Sequence, residues 1–154
     1  LTFAPMDSLS LFAGVGYVDA EYTDIGVIPG VSVPIQESYM FVNTPEWSGN
    51  LGAEYSMVLG DMGDLTLRAD YSYSSEVAND AINTPELIED DLDLVNLRAT
   101  FSHASGMWDV SVYGNNVTDE VYLVSGNADL VNTGFSVGNY TRGEEWGASV
   151  TWRF

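Results

Sequence analysis

The stretch "GFSVG" (residues 134–138) carries the G-x-S-x-G spacing that sets a serine nucleophile, here Ser136, on a sharp turn between a strand and a helix. Such a serine needs a histidine base later in the chain and a helix directly after it. The single histidine, His103, comes earlier, and "NYTRGEEW" follows without helical spacing. An esterase reading thus rests on Ser136 alone and requires that Ser136→Ala abolish hydrolysis. A second candidate is "PELIEDDLD" (85–93), where Glu86, Glu89, Asp90, Asp91 and Asp93 offer oxygen ligands to Ca²⁺. The EF-hand spacing, with its central Gly and terminal Glu, is absent, so the stretch reads as a solvated acidic loop. "GVGYVD" (14–19) lacks the third glycine and the helix of a dinucleotide fingerprint, and Gly14 and Gly16 read as clearing space on one face of a strand. His103 without a partner ligand makes no transition-metal site. With no paired catalytic carboxylates, triad or phosphate loop, the expectation is a protein that is not an enzyme and holds no cofactor or metal.

The elements that carry these residues follow from composition and periodicity. The chain has 154 residues with 23 acidic and 4 basic side chains, a formal charge of -19, and no Cys. No basic face is available to displace counterions from phosphates, which excludes nucleic acid as a partner. Without Cys there is no disulfide framework, thiolate metal site or cysteine nucleophile. Fifteen Gly, nine Tyr and four Trp, without long Leu/Ala/Glu runs, favour strands. The chain opens on Leu1, without the basic and apolar regions of a secretory signal, and reads as a piece of something longer.

Large or apolar side chains return at every second position in about six stretches, the period of a strand. They are Leu9 to Tyr17, Trp47 to Leu59, Leu65 to Tyr73, Val95 to Phe101, a run beginning at Trp108, and Trp146 to Phe154. Phe12 breaks the first of them. "LGDMGDL" (59–65) and "HASGMW" (103–108) read as tight hairpin turns, whereas residues 23–45, 76–91 and about 117–143 read as long acidic or Gly/Asn/Pro-rich loops. Short connections at one end and long ones at the other describe an antiparallel up-and-down meander of about six strands.

Such alternation suits either a sheet packed on a protein core or a barrel wall facing lipid. Three features favour the wall. Trp47 and Tyr55 bracket Leu51 and Ala53, and Trp146 and Trp152 flank Ala148 and Val150, as in aromatic girdles at two membrane interfaces. The opposite face carries Asn50, Glu54, Arg68, Asp70, Asn96 and Arg98, which a wet interior accepts, and Arg68 and Arg98 are placed to pair with Glu54 and Asp70. The strands, at about 9–13 residues, are long enough to cross a bilayer at a tilt. The rivals are a small stand-alone outer-membrane barrel and a soluble acidic β-sheet adhesin or interaction module. Known single-chain barrels start at about eight strands, and an open sheet leaves two unpaired edges.

The order of short motifs then matters. "TP" at Thr44 and Pro45, "NLRA" at Asn96 to Ala99, and the series Trp108, Val110, Tyr113, Asn115, Asn116, Thr118, Asp119 and Tyr122 precede a terminal "WGASVTWRF" ending on Phe154. In this order and spacing they resemble the C-terminal strands of TonB-dependent outer-membrane receptors, over nearly the whole chain. The resemblance implies an all-β fold in which residues 1–154 are the C-terminal part of a large transmembrane β-barrel of about 22 strands with a plugged lumen. It implies that the plug and the earlier strands lie elsewhere in the parent chain. It further implies residence in the bacterial outer membrane, with lipid, lipopolysaccharide and the barrel assembly machinery as partners. The function implied is uptake of a scarce small-molecule ligand, such as an iron–siderophore complex, energised through TonB. Trp152 and Phe154 resemble the aromatic end read by the assembly machinery. The turns 59–65 and 103–108 would then be periplasmic, and the three long loops extracellular.

Overall fold

A computed structural model of the chain describes residues 1–26, 29–30, 35–130 and 132–154. Eleven strands are present among them: β1 (Thr2–Met6), β2 (Leu9–Tyr17), β3 (Trp47–Val58), β4 (Gly63–Ser74), β5 (Val77–Ala78), β6 (Ile88–Glu89), β7 (Leu92–His103), β8 (Trp108–Asn115), β9 (Leu123–Asp129), β10 (Phe135–Tyr140) and β11 (Glu145–Trp152). Seven of them form one sheet in the order β1-β2-β3-β4-β7-β8-β11, so every neighbour is the next long strand in the chain and every pairing is antiparallel. This is the meander that the alternation predicts, with one strand more. β3, β4 and β7 each run 12 residues, about 40 Å at the usual rise per residue, the span a tilted membrane strand needs.

The additional strand is β1. Its sequence, TFAPM, has no clear period, and Pro5 cannot donate to a ladder, so the register with β2 slips between Phe3 and Met6. Proline is tolerated because β1 lies at the edge of the sheet. Two of the long loops also contain more structure than their composition suggests. Residues 76–91 hold β5, a single 3₁₀ turn at Pro85–Leu87 and β6, while β9 and β10 form a hairpin within 117–143. In the loop read over 23–45, positions 27–28 and 31–34 lie outside the described residues, as does 131 in the loop over 117–143.

Both hairpin turns sit where glycine gives the backbone its freedom. Gly63 closes the β3–β4 turn at φ 130°, and a Cβ there would stand 2.0 Å from the Ser102 carbonyl oxygen. Gly106 takes φ 68° in the β7–β8 turn. The two turns touch through Ala104 N–H, which donates to the Met62 carbonyl at 3.1 Å. Arg153 closes this end, with its guanidinium 2.6 Å from the Asp109 carboxylate.

The register gathers the apolar residues of all the long strands on one side. Leu11, Ala53, Ala69 and Leu97 are successive cross-strand neighbours, as are Ala99, Val112 and Ala148 one step along. Nothing among the described residues covers this face: Leu51 is 56% and Val150 69% exposed. A soluble sheet of this size would hide such a face against a second layer. Instead, the three buried hydrophobic residues among those described are Ala78, Leu87 and Leu123, all in the loops. Aromatic rings mark the two ends of the apolar face. Tyr17 and Trp47 pack at 4.6 Å at the loop end, and Phe101 and Trp108 at 5.4 Å at the turn end, where Trp152 lies opposite Trp108.

Candidate functional site

At the loop end, three chain segments interlock into one layer. Asp80 organises the middle segment by accepting from the Thr84 backbone N–H at 2.8 Å and from its hydroxyl at 2.5 Å, which turns the chain into the proline-initiated 3₁₀ turn. Asn83, at φ 50°, spends its amide as a backbone unit would. Its Oδ1 accepts from Met40 N–H at 2.6 Å and its Nδ2 donates to the Met40 carbonyl at 3.1 Å. Asn43 N–H donates to the Ala78 carbonyl at 2.9 Å, fastening the first loop to the second. The third loop is fastened by Glu89, whose carboxylate accepts from Leu123 N–H at 2.7 Å.

Packing completes the layer. The Leu87 side chain, 2% exposed, fills the space that Gly126 of β9 leaves, since a Cβ there would stand 2.5 Å from it. Leu123, 4% exposed, does the same against Gly138 of β10. The β9–β10 hairpin therefore shows its glycine-bearing side to the other loops. Its second side presents Phe135 and Val137 to solvent with Asn139, whose amide donates to the Ser125 hydroxyl at 3.0 Å. An exposed aromatic and aliphatic surface beside amide and hydroxyl groups, on a braced support, can hold a small molecule by stacking and hydrogen bonds.

The polar side of the sheet has a different logic. Ser10, Glu54, Arg68, Arg98, Tyr113 and Gly147 are cross-strand neighbours in a single row, one from each of six strands. Arg68 is neutralised twice. Its Nε and Nη2 donate to the two Asp70 oxygens at 2.8 Å each, and its Nη1 lies 3.6 Å from Glu54. The guanidinium also sits 4.7 Å from the centre of the Phe12 ring, which lies flush on the wall because Gly52 opposite it has no Cβ. This explains why Phe12 breaks the alternation of β2. Arg98 repeats the arrangement over Tyr113, at 5.1 Å, with Gly147 making room for the tyrosine ring. The pairing of Arg98 with Glu54 or Asp70 expected from the sequence does not form.

The motif residues fall into three places. Trp108 stands on the apolar face, its ring stacked on His103 at 4.8 Å, and Tyr113 stands on the polar face under Arg98. Asn115 ends β8 opposite Glu145. Asn116 and Asp119 take left-handed conformations, φ 51° and 59°, which short polar side chains tolerate. Asn116 Oδ1 accepts from Glu120 N–H at 3.1 Å and its Nδ2 donates to the Glu120 carbonyl at 2.7 Å, while Asp119 accepts from Glu144 N–H at 2.9 Å. Tyr122 is tied through its backbone to Thr141. Asn116, Asp119 and Tyr122 thus make the knot from which the β9–β10 hairpin leaves the sheet. Asn96 belongs to the same knot, its Oδ1 accepting from Asn116 N–H at 2.9 Å, a role its place in "NLRA" did not reveal. Trp152 and Phe154 lie at the far end, and Phe154 is fully exposed.

The residues first weighed for chemistry do not converge. Ser136 lies in β10 opposite Ala128, at the loop end, whereas His103 sits at the turn end with Nδ1 2.8 Å from Ser105 Oγ. Of the acidic run 85–93, Glu89 accepts from Leu123, Asp91 from the Tyr73 hydroxyl at 3.0 Å and Asp93 from the Tyr71 hydroxyl. Their oxygens are spent on separate donors, and among the described residues no group of three His, Asp or Glu side chains is placed to hold a metal ion.

A protein-family model described as "TonB dependent receptor-like, beta-barrel" matches residues 2–117. No curated protein sequence matches the chain. Among solved structures, the ferric yersiniabactin uptake receptor FyuA from Yersinia pestis superimposes with a TM-score of 0.80 at 14% identity, over 97% of this chain and 21% of that one. The siderophore receptor PiuA from Acinetobacter baumannii gives 0.69 at 20% identity, over 97% and 20%. The ferric preacinetobactin receptor BauA from Acinetobacter baumannii gives 0.67 at 21% identity, over 98% and 20%. The chain thus spans about a fifth of the length of these receptors, and the likeness is one of fold.

Proposed function

We propose, from the premise that this chain belongs to the TonB-dependent receptor-like β-barrel family, that residues 1–154 are the C-terminal wall of an outer-membrane receptor that takes up a scarce ligand. The family is one of receptors rather than enzymes. The observation that carries the reading is the division of the molecule: a seven-stranded sheet whose apolar face none of the described residues covers, joined at one end to loops with a core of their own. Lipid is the solvent that suits the first, and water the second. The apolar face would lie in the outer membrane between its aromatic ends, with the polar face toward a lumen filled by the plug of the same parent chain. The loop layer would stand outside the cell, where the Phe135 and Val137 side of the hairpin helps to capture the ligand.

Two of the three solved receptors named above are described by a ferric ligand and the third as a siderophore receptor, which supports an iron–siderophore complex as the ligand class here. Uptake would draw on TonB through segments outside residues 1–154. The test is accumulation of radiolabelled iron from ferric siderophores by iron-starved cells carrying the parent gene. Uptake should require both that gene and TonB, and should fall when residues 123–140 are replaced by a short Gly-Ser linker while the protein remains in the outer membrane. Recovery of the parent protein in a soluble fraction would overturn the reading.

A further inference from the structure

Three of the four basic residues have a carboxylate partner: Arg68 has Asp70 and Glu54, Arg142 has Glu145, and Arg153 has Asp109. Arg98 has none among the described residues, which include all 23 acidic side chains. The register sets Arg98 directly opposite Arg68, where like charges repel, and the two carboxylates that offset this repulsion, Asp70 and Glu54, are both held by Arg68. The neighbouring position that could compensate is occupied by Asn96, the cross-strand partner of Asp70, and its amide oxygen is already committed to Asn116 N–H. Arg98 is nevertheless held in place. Its guanidinium lies over the Tyr113 ring at 5.1 Å, and that ring is seated in the gap left by Gly147. No Arg98 side-chain nitrogen donates to a carboxylate among the described residues, and a guanidinium offers a fork of donors matched to the two oxygens of a carboxylate.

The geometry points to Arg98 as a prepared seat for a carboxylate supplied from outside residues 1–154. The inference rests on the barrel-wall reading, which gives the polar face an occupant. The carboxylate comes either from an acidic side chain elsewhere in the parent chain or from a free carboxylate ligand, and the two sources share one chemistry. The seat is directional as well as charged: Arg68, already gripped from two sides, does not compete for the newcomer.

The segment contains no lysine, since its four basic residues are all arginine, so Arg98→Lys in the full parent receptor introduces one amine at a known place. A water-soluble carbodiimide then joins that amine to a carboxylate in contact with it; one amide bond forms, and the water lost is taken up by the reagent as a urea. Mass spectrometry of the peptides should show position 98 linked to an Asp or Glu outside residues 1–154. Alternatively, with citrate as the free probe, it should show a saturable citrate adduct at position 98 that Arg68→Lys does not give. The first result identifies a protein source and the second a free one. A link from position 98 to any acidic residue within 1–154, or no link and no adduct, would overturn the inference. Arg68→Lys serves as the internal control and should link to Asp70 or Glu54. Unchanged heat-modifiable migration of R98K, together with iron uptake by the unsubstituted receptor, separates a failure here from a failure of the receptor reading.

Discussion

Ala78, Leu87 and Leu123 are shut away within loops, whereas Leu51 and Val150, in the middle of long regular strands, stand more than half exposed. In a protein folded for water the two groups would change places. Burying one large aliphatic side chain contributes about 1.5–3 kcal/mol, so the loop layer carries its own hydrophobic stabilisation. The sheet has its ladder hydrogen bonds and leaves its apolar surface to be satisfied by whatever surrounds it. Regular secondary structure and a buried core are separable, and here they occupy opposite ends of one molecule.

The largest effect is expected where the loop layer is held. Leu87→Ala removes a fully enclosed side chain and should cost about 2–5 kcal/mol, confined to the loops. In hydrogen exchange on the parent protein, amides of residues 77–89 and 123–140 should lose protection while β3, β4 and β7 keep theirs. Equal loss in both regions would mean that loops and wall form one cooperative unit. Next is the wall. Leu51→Arg or Val150→Arg should cost about 2–4 kcal/mol if those positions face mid-bilayer, against little for Asn50→Arg or Ser149→Arg. Folding titrations into lipid vesicles read this directly, and equal costs on the two faces would remove the lipid-facing assignment.

The comparison also explains what could be read in the sequence. A strand with one apolar face writes its period locally, so β2 reads from Leu9 to Tyr17, as observed, and the turns at Gly63 and Gly106 declare themselves by their glycines. β1 left no such trace, because Pro5 and the register slip beside it disturb the period. The β9–β10 hairpin was hidden for another reason. Gly126 and Gly138 serve it by having no side chain against Leu87 and Leu123, and a side chain that must be missing leaves no apolar signal. The pairing of Arg68 was legible in kind but not in choice. Both arginines, Glu54 and Asp70 share one face, and only the register puts Glu54 opposite Arg68 and Arg98 beyond reach.

A third, smaller effect probes the polar face of the wall. Gly52→Ala places a methyl group where the Phe12 ring lies, 1.8 Å from its nearest atom, so the ring must leave the wall and the guanidinium above it must follow. Overpacking of this kind costs about 1–3 kcal/mol. Phe12→Ala in the same chain should recover part of that loss, measured as urea midpoints of the receptor in vesicles; no recovery would mean that the glycine serves the backbone rather than the ring.

The smallest effect concerns Glu54. Its contact with Arg68 is long, 3.6 Å, and both side chains are about two-fifths exposed, while Asp70 holds the same guanidinium through two bonds of 2.8 Å. Glu54→Gln should therefore cost no more than about 1 kcal/mol, and less in high salt, whereas Asp70→Asn should exceed it because a bidentate charge-assisted pair is lost. If the seat at Arg98 is filled in the intact receptor, Glu54 is one of three carboxylates serving two arginines and its loss is buffered. If the seat is empty, Glu54 and Asp70 alone screen the Arg68–Arg98 repulsion, and Glu54→Gln should then weigh about as much as Asp70→Asn. Paired urea midpoints for the two variants, at low and high salt, distinguish these cases.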